Sequence, residues 1–294
     1  MRRVSLMTMT LFMRLLFKFK LDHDMEDMVE GYEEMLDLAK DGGFQWVDVT
    51  SWEIGILGIQ NIAAQLRRRD LHVSSIIHPD QFAADGEAET AERVEKAKRL
   101  IDVAVALGCD IFMLVPQAHP GIEEQSPEHL HQRLVKHFAP IAAYAKECGI
   151  HVIIEDTPDL KLHLCKADDV KMVLDAVDGL ELVYDSGNMI LCGEEPLSYV
   201  DSFVGKIGYV HLKDMRSAPI GSMMVDFDKD GKPMSSAPIG TGLIDLPAVV
   251  NKLDEIGYEG SFSVEFFVDD DRDYLKSIKR TRDYVAKLIP LSCQ

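Results

Sequence analysis

The chain has 294 residues, 47% hydrophobic and 28% charged, with 50 acidic against 31 basic side chains and a formal charge of −19. Such a composition buries a sizeable core and excludes a disordered chain, while the excess negative charge argues against nonspecific binding to phosphate backbones and leaves small molecules as the expected partners. Five cysteines, odd in number and without a CxxC pair, indicate a reducing compartment, so the expected location is cytoplasmic.

At the N-terminus, Arg2 and Arg3 precede an apolar stretch as in a secretory signal, but Arg14 and Lys18 interrupt it and no small-residue cleavage site follows. No run reaches the roughly 20 apolar residues that span a bilayer, so the expectation is a first buried strand near Val4 to Met9 and no membrane association. Further apolar runs follow as FQWVDV from Phe44, LHVSSII from Leu71, DIFMLV from Asp110, HVIIE from His151, LELVYD from Leu180, IGYVHL from Ile207 and SFSVEFF from Ser261. Between them lie helix patterns: GYEEMLDLAKDGG, ETAERVEKAKRLIDVAVALG closing at Gly108, HLHQRLVKHFAPIAAYAKECG closing at Gly149, and LPAVVNKLDEIG with Pro247 near its start and Gly257 at its end. Eight strands alternating with helices predict a parallel (β/α)8 TIM barrel, one domain over residues 1–294. No GxGxxG or GxxxxGKS occurs, so the usual nucleotide signatures of open sheets are missing.

One irregular stretch, at about 216–240, follows the seventh strand. Its DFDKDG segment begins at Asp226, but the twelfth position of a calcium loop would be Ala237 where a bidentate Glu is needed. Asp230-Gly231 instead predicts a hairpin turn at Lys229 to Lys232. Met223, Met224 and Phe227 would then cover the barrel mouth, or the hairpin is a surface feature without a role.

The chemistry concentrates at four strand ends. VIIE finishes on Glu155, LVYD on Asp185, YVH on His211 and FSVE on Glu265. A carboxylate ending a buried strand is costly unless it is paired or bound to a cation, and parallel strands bring their C-terminal ends to one rim. Three carboxylates and an imidazole suit one divalent cation, with oxygen ligands favouring Mn, Mg or Co and leaving Zn possible. Any one of these groups alone could be a strand-end cap; four in series predict a metal site.

VIIEDTPD, VYDSGN, YVHLKD and the block IGTGLIDLPAVVNKLDEIGYEGSFSVEFF resemble the sugar isomerase and epimerase superfamily with the xylose-isomerase-like barrel. The resemblance covers nearly the whole chain and is strongest from Ile150 onward. It implies a metal held by Glu155, Asp185, His211 and Glu265, with Glu155 and Glu265 as the catalytic pair that removes and returns an α-proton through a metal-stabilised enediolate. The implied activity is isomerisation or epimerisation of a small sugar, sugar phosphate or related polyol ketone. A lyase of the inosose or dehydroshikimate dehydratase type is the alternative, and an endonuclease IV-like hydrolase a weaker one. Asn188 stands where many relatives carry His. That departure weakens the hydrolase reading, whose three-metal site needs more histidines. Asn188, His78, His119 and Arg216 are candidate substrate contacts, the last three equally readable as rim-loop polar residues. Lys213 and Asp214 read as a rim ion pair or helix cap, and Trp52 and Glu53 as candidates to line the pocket. The resemblance also implies a homo-oligomer.

Overall fold

A computed structural model describes residues 2–9, 11, 25–220, 222, 225–265 and 273–289. Each apolar run forms one strand: β1 (Val4–Met7), β2 (Trp46–Thr50), β3 (His72–Asp80), β4 (Ile111–Pro116), β5 (His151–Glu155), β6 (Leu180–Asp185), β7 (Ile207–Leu212) and β11 (Ser261–Val264). All neighbours pair in parallel, and the barrel closes between β1 and β11, with Val4 opposite Phe262. Phe266 and Phe267, the end of the eighth apolar run, lie outside the described residues.

The helices are α1 (Met25–Asp41), α2 (Ser51–Leu57), α3 (Ile59–Arg69), α4 (Glu87–Leu107), α5 (Pro127–Cys148), α6 (Ala167–Ala176), α7 (Pro196–Ser202), α8 (Leu246–Glu255) and α9 (Tyr274–Leu288). Local chemistry sets their ends. Ser126 accepts a hydrogen bond from the His129 amide to open α5, and Pro127 fills the first turn, where its missing N–H costs nothing. Gly149 closes α5 in the left-handed region at φ 71°, returning its N–H to the preceding turn. No described helix is long and apolar enough to cross a membrane.

Inside the barrel, side chains stack in layers. Near the base, the buried Asp48 carboxylate accepts hydrogen bonds from Ser5 (2.8 Å), Ser75 (2.7 Å), Tyr209 (2.9 Å) and Ser263. These hydroxyls make a carboxylate tolerable where water is excluded. Met7, Ile77, Met113, Ile153, Val183 and Tyr209 form one apolar cluster of the interior. Strand residues two apart share a face, so Glu155, Asp185, His211 and Glu265 stand one layer above Ile153, Val183, Tyr209 and Ser263.

After β7 the chain leaves the barrel for a small antiparallel sheet of β8 (Asp214–Ser217), β9 (Asp226–Phe227) and β10 (Pro233–Ala237), in the order β8-β10-β9. The expected hairpin is present: Gly231 turns at φ 76°, and the Asp228 carboxylate accepts from the amides of Asp230 (3.0 Å) and Lys232 (2.8 Å). The third strand was not expected, because the four residues DMRS are too few to show alternation. Leu191, Met215 and Met234 pack together beneath the sheet, and the Lys229 amide donates to the Leu191 carbonyl at 2.7 Å. Phe227 is 59% exposed, while Met223 and Met224 lie outside the described residues.

Candidate metal centre

Glu155 and Asp185 end β5 and β6, His211 is the fifth residue of β7, and Glu265 directly follows β11. Register brings them to one level: Asp185 pairs with His211, and the Glu265 amide extends the ladder by donating to the Leu212 carbonyl at 3.1 Å. Each side chain offers one ligand atom within 4.8 Å of the others.

The spacing fits a single ion. His211 Nδ1 lies 2.8 Å from Glu155 Oε1 and 3.9 Å from Asp185 Oδ2. Donor atoms about 2.1 Å from a common octahedral cation stand about 3 to 4 Å apart. Asp185 is anchored by its other oxygen: Oδ1 accepts from the Gly187 and Asn188 amides, both at 2.8 Å. Its Oδ2 is buried without a hydrogen-bond partner among the described residues. A desolvated, unpartnered carboxylate oxygen is what a cation site requires and what an apolar core avoids.

Charge crowding shifts the titration of these groups. Burial pushes Asp185 up to about 8, with Lys213 opposing and the Glu265 and Glu155 carboxylates reinforcing it. For His211, burial favours the neutral ring, but Glu155 outweighs it and raises the group to about 9. Glu265 sits below the usual carboxylate range because the Lys213 ammonium overcomes the cost of burial. The neighbouring Asp156 is wholly buried, neither carboxylate oxygen has a partner among the described residues, and burial with Asp185 and Glu155 drives its pKa upward.

The remaining candidates divide. Asn188 is at the mouth, but both ends of its amide are committed: Oδ1 accepts from Lys213 Nζ at 3.0 Å and Nδ2 donates to the Asp156 carbonyl at 2.9 Å. It therefore holds Lys213 through Oδ1 and commits one of its two N–H groups to the Asp156 carbonyl. His78 lies on the face of β3 shared with Ile76, away from the barrel interior, with Nδ1 2.9 Å from Ser51 Oγ and its ring against Phe82 and Phe112. Strand alternation turns this position toward the helices, apart from the four strand-end groups. His119 is in the loop after β4, its Nδ1 on the Pro120 carbonyl at 3.0 Å. Arg216 lies in β8 opposite Ser235, and alternation places it on the other sheet face from Met215. Trp52 is 46% exposed, whereas Glu53 is buried in the capping box of α2, bonded also to Thr8.

Sequence reasoning missed Lys213 as a member of the site. Its ammonium is 2.9 Å from Glu265 Oε1, so its ion-pair partner is not Asp214. Asp214 instead gathers the amides of Met215, Gly240, Gly242 and Ile244. The signal was present in YVHLKD: residue 213 is two beyond His211 and shares its face.

The sequence profile of the xylose isomerase-like TIM barrel family matches residues 36–286. An inosose dehydratase from Clostridium perfringens is 24% identical over 222 residues, covering 70% of this chain and 73% of that protein. The solved structure of the IOLI protein with a binding zinc atom is similar at TM-score 0.73 and 17% identity, covering 98% of this chain and 100% of that one. D-allulose 3-epimerase from Methylomonas sp. in complex with D-allulose gives TM-score 0.72 at 15% identity, over 98% and 97% of the two chains. At these identities the structural likeness is one of fold.

Proposed function

We propose that this chain, which belongs to the xylose isomerase-like TIM barrel family, is a divalent-metal-dependent enzyme that moves a proton next to the carbonyl of a small polyol ketone, as an isomerase or epimerase of a sugar or sugar phosphate. The supporting observation is the convergence of Glu155, Asp185, His211 and Glu265 on one point of the barrel mouth. A bound Mn, Mg or Co ion, or Zn, would supply Lewis acidity that makes a hydrogen beside a carbonyl easier to remove. The chain's own groups do the rest. Glu155 and Glu265 are the acid–base pair, one taking the proton and the other able to return one. Return to the same carbon from the opposite face gives an epimer; return to the neighbouring carbon gives the isomer.

Exchange of the substrate's α-hydrogen with solvent deuterium tests the roles. The wild-type protein loaded with manganese is expected to exchange, and Glu155→Gln and Glu265→Gln are each expected to slow exchange by about 100-fold or more. Full exchange in both variants would end the assignment. A second reading, dehydration of an inosose-like ring, is favoured by the inosose dehydratase relatives and by the unequal surroundings of the two glutamates, Glu155 beside His211 and Glu265 beside Lys213. A rise in absorbance from a conjugated enone separates it from isomerisation.

A further inference from the structure

Lys213 is held more elaborately than a surface ion pair needs. Its side chain is only 7% exposed, and Nζ sits between Glu265 Oε1 at 2.9 Å and Asn188 Oδ1 at 3.0 Å. The run Asp185 to Asn188 is divided between the ion's ligand and this lysine. Asp185 serves the metal cluster, and Ser186 Oγ clamps the Lys213 backbone, accepting from its N–H at 2.9 Å and donating to its carbonyl at 2.7 Å. Gly187 makes room for two neighbours at once: a Cβ there would stand 2.8 Å from Met215 Cγ, 3.1 Å from Lys213 Cγ and 3.2 Å from Lys213 Cδ. Asn188 then receives the ammonium, with its own amide fixed by the Asp156 carbonyl.

We propose that Lys213 is a specificity-determining residue, a second and fixed cation of the mouth whose third N–H receives an oxygen of the substrate. An ammonium has three donors. Two are used by Glu265 and Asn188, and the third has no partner among the described residues although water has little access. Charge counting agrees. Three carboxylates around a divalent cation leave one negative charge, which Lys213 offsets, so negative charge developing on substrate oxygens meets less repulsion than the carboxylates alone would impose. Contact with Glu265 fixes where that oxygen lies: on the carbon that exchanges its proton or on the one beside it. The ligand class is a polyol ketone that presents an oxygen at one of those two carbons, which deepens, and rests on, the polyol-ketone reading of the function.

Calorimetric titration with manganese, and then with inosose, separates this role from mere support of Glu265. Lys213→Met removes a charge that repels the metal, so its manganese affinity is expected to match or exceed that of the wild type, while inosose binding weakens by about tenfold or more. Lys213→Arg is expected to recover part of that loss. A tenfold loss of manganese affinity in Lys213→Met, or inosose binding equal to the wild type in that variant, would overturn the proposal. Wild-type protein that binds manganese but neither inosose nor D-allulose overturns the polyol-ketone reading itself, a failure visible before any variant is compared.

Discussion

Asp185 and His211 are raised in the folded, metal-free protein to about 8 and about 9 respectively, against ordinary values near about 3.9 and 6.5. A group whose folded pKa exceeds its unfolded one adds stability that is complete at low pH and disappears as pH rises through the folded value. Chelator-treated protein is therefore expected to lose thermal stability from pH about 4, the ordinary Asp value, up to about 9, and Asp185→Asn to remove the part of that loss below about 8. Metal ligation requires both groups deprotonated, so manganese binding is expected to release protons and to tighten as pH rises toward about 9. Titration in buffers of different ionisation enthalpy measures the release. Binding without proton release would mean that these groups do not carry protons in the free protein.

Strands and helices were legible because each rests on a local pattern: eight short apolar runs, and glycines such as Gly108 and Gly149 in the left-handed region where the chain must turn. The convergence of the four strand-end candidates was legible for the same reason, since parallel topology alone aligns strand ends. What was not legible depends on which face a rim residue takes after regular alternation. His78 points outward because both Ser74 and Ser75 of β3 reach interior partners, Tyr209 and Asp48, and this irregularity resets the faces beyond it. Asn188 and Lys213 find each other across 25 residues, a pairing no single stretch of sequence displays. At the hairpin, Gly231→Val forces a branched side chain into φ 76°, costing about 1–2 kcal/mol. Faster proteolytic cleavage at the Lys229 to Lys232 turn, with little change in global melting, is the expected outcome.

For the molecule as a whole, the Asp48 cluster ties β1, β2, β3, β7 and β11 together at the barrel's base. Asp48→Ala would take the carboxylate from Ser75 and Ser263, while Ser5 and Tyr209 still bond each other at 2.8 Å, and urea denaturation is expected to show a loss of about 2 kcal/mol or more. A bound metal acts in the opposite direction: manganese at 100 times its dissociation constant is expected to add about 2.7 kcal/mol. If that gain persists in Glu155→Ala or His211→Ala, the ion binds elsewhere.

Every member of the ligand cluster, together with Lys213, comes from β5 onward. Strands β1, β3 and β4 send Met7, Ile77, Ile111 and Met113 into the interior, with Met9 and Val115 packed against them, while Ser5, Asp48 and Ser75 form the polar cluster of β1, β2 and β3. The candidate ligands thus stand on one side of the barrel, and the thioethers and aliphatic carbon of β1, β3 and β4 on the other. A hydroxylated ring has the same two-sidedness, oxygens along one edge and C–H bonds on its face. Under the proposed function, exchanging Met7, Ile77 or Met113 would retune which ring is accepted and leave the candidate ligands in place, so a change of specificity would not require a change of chemistry.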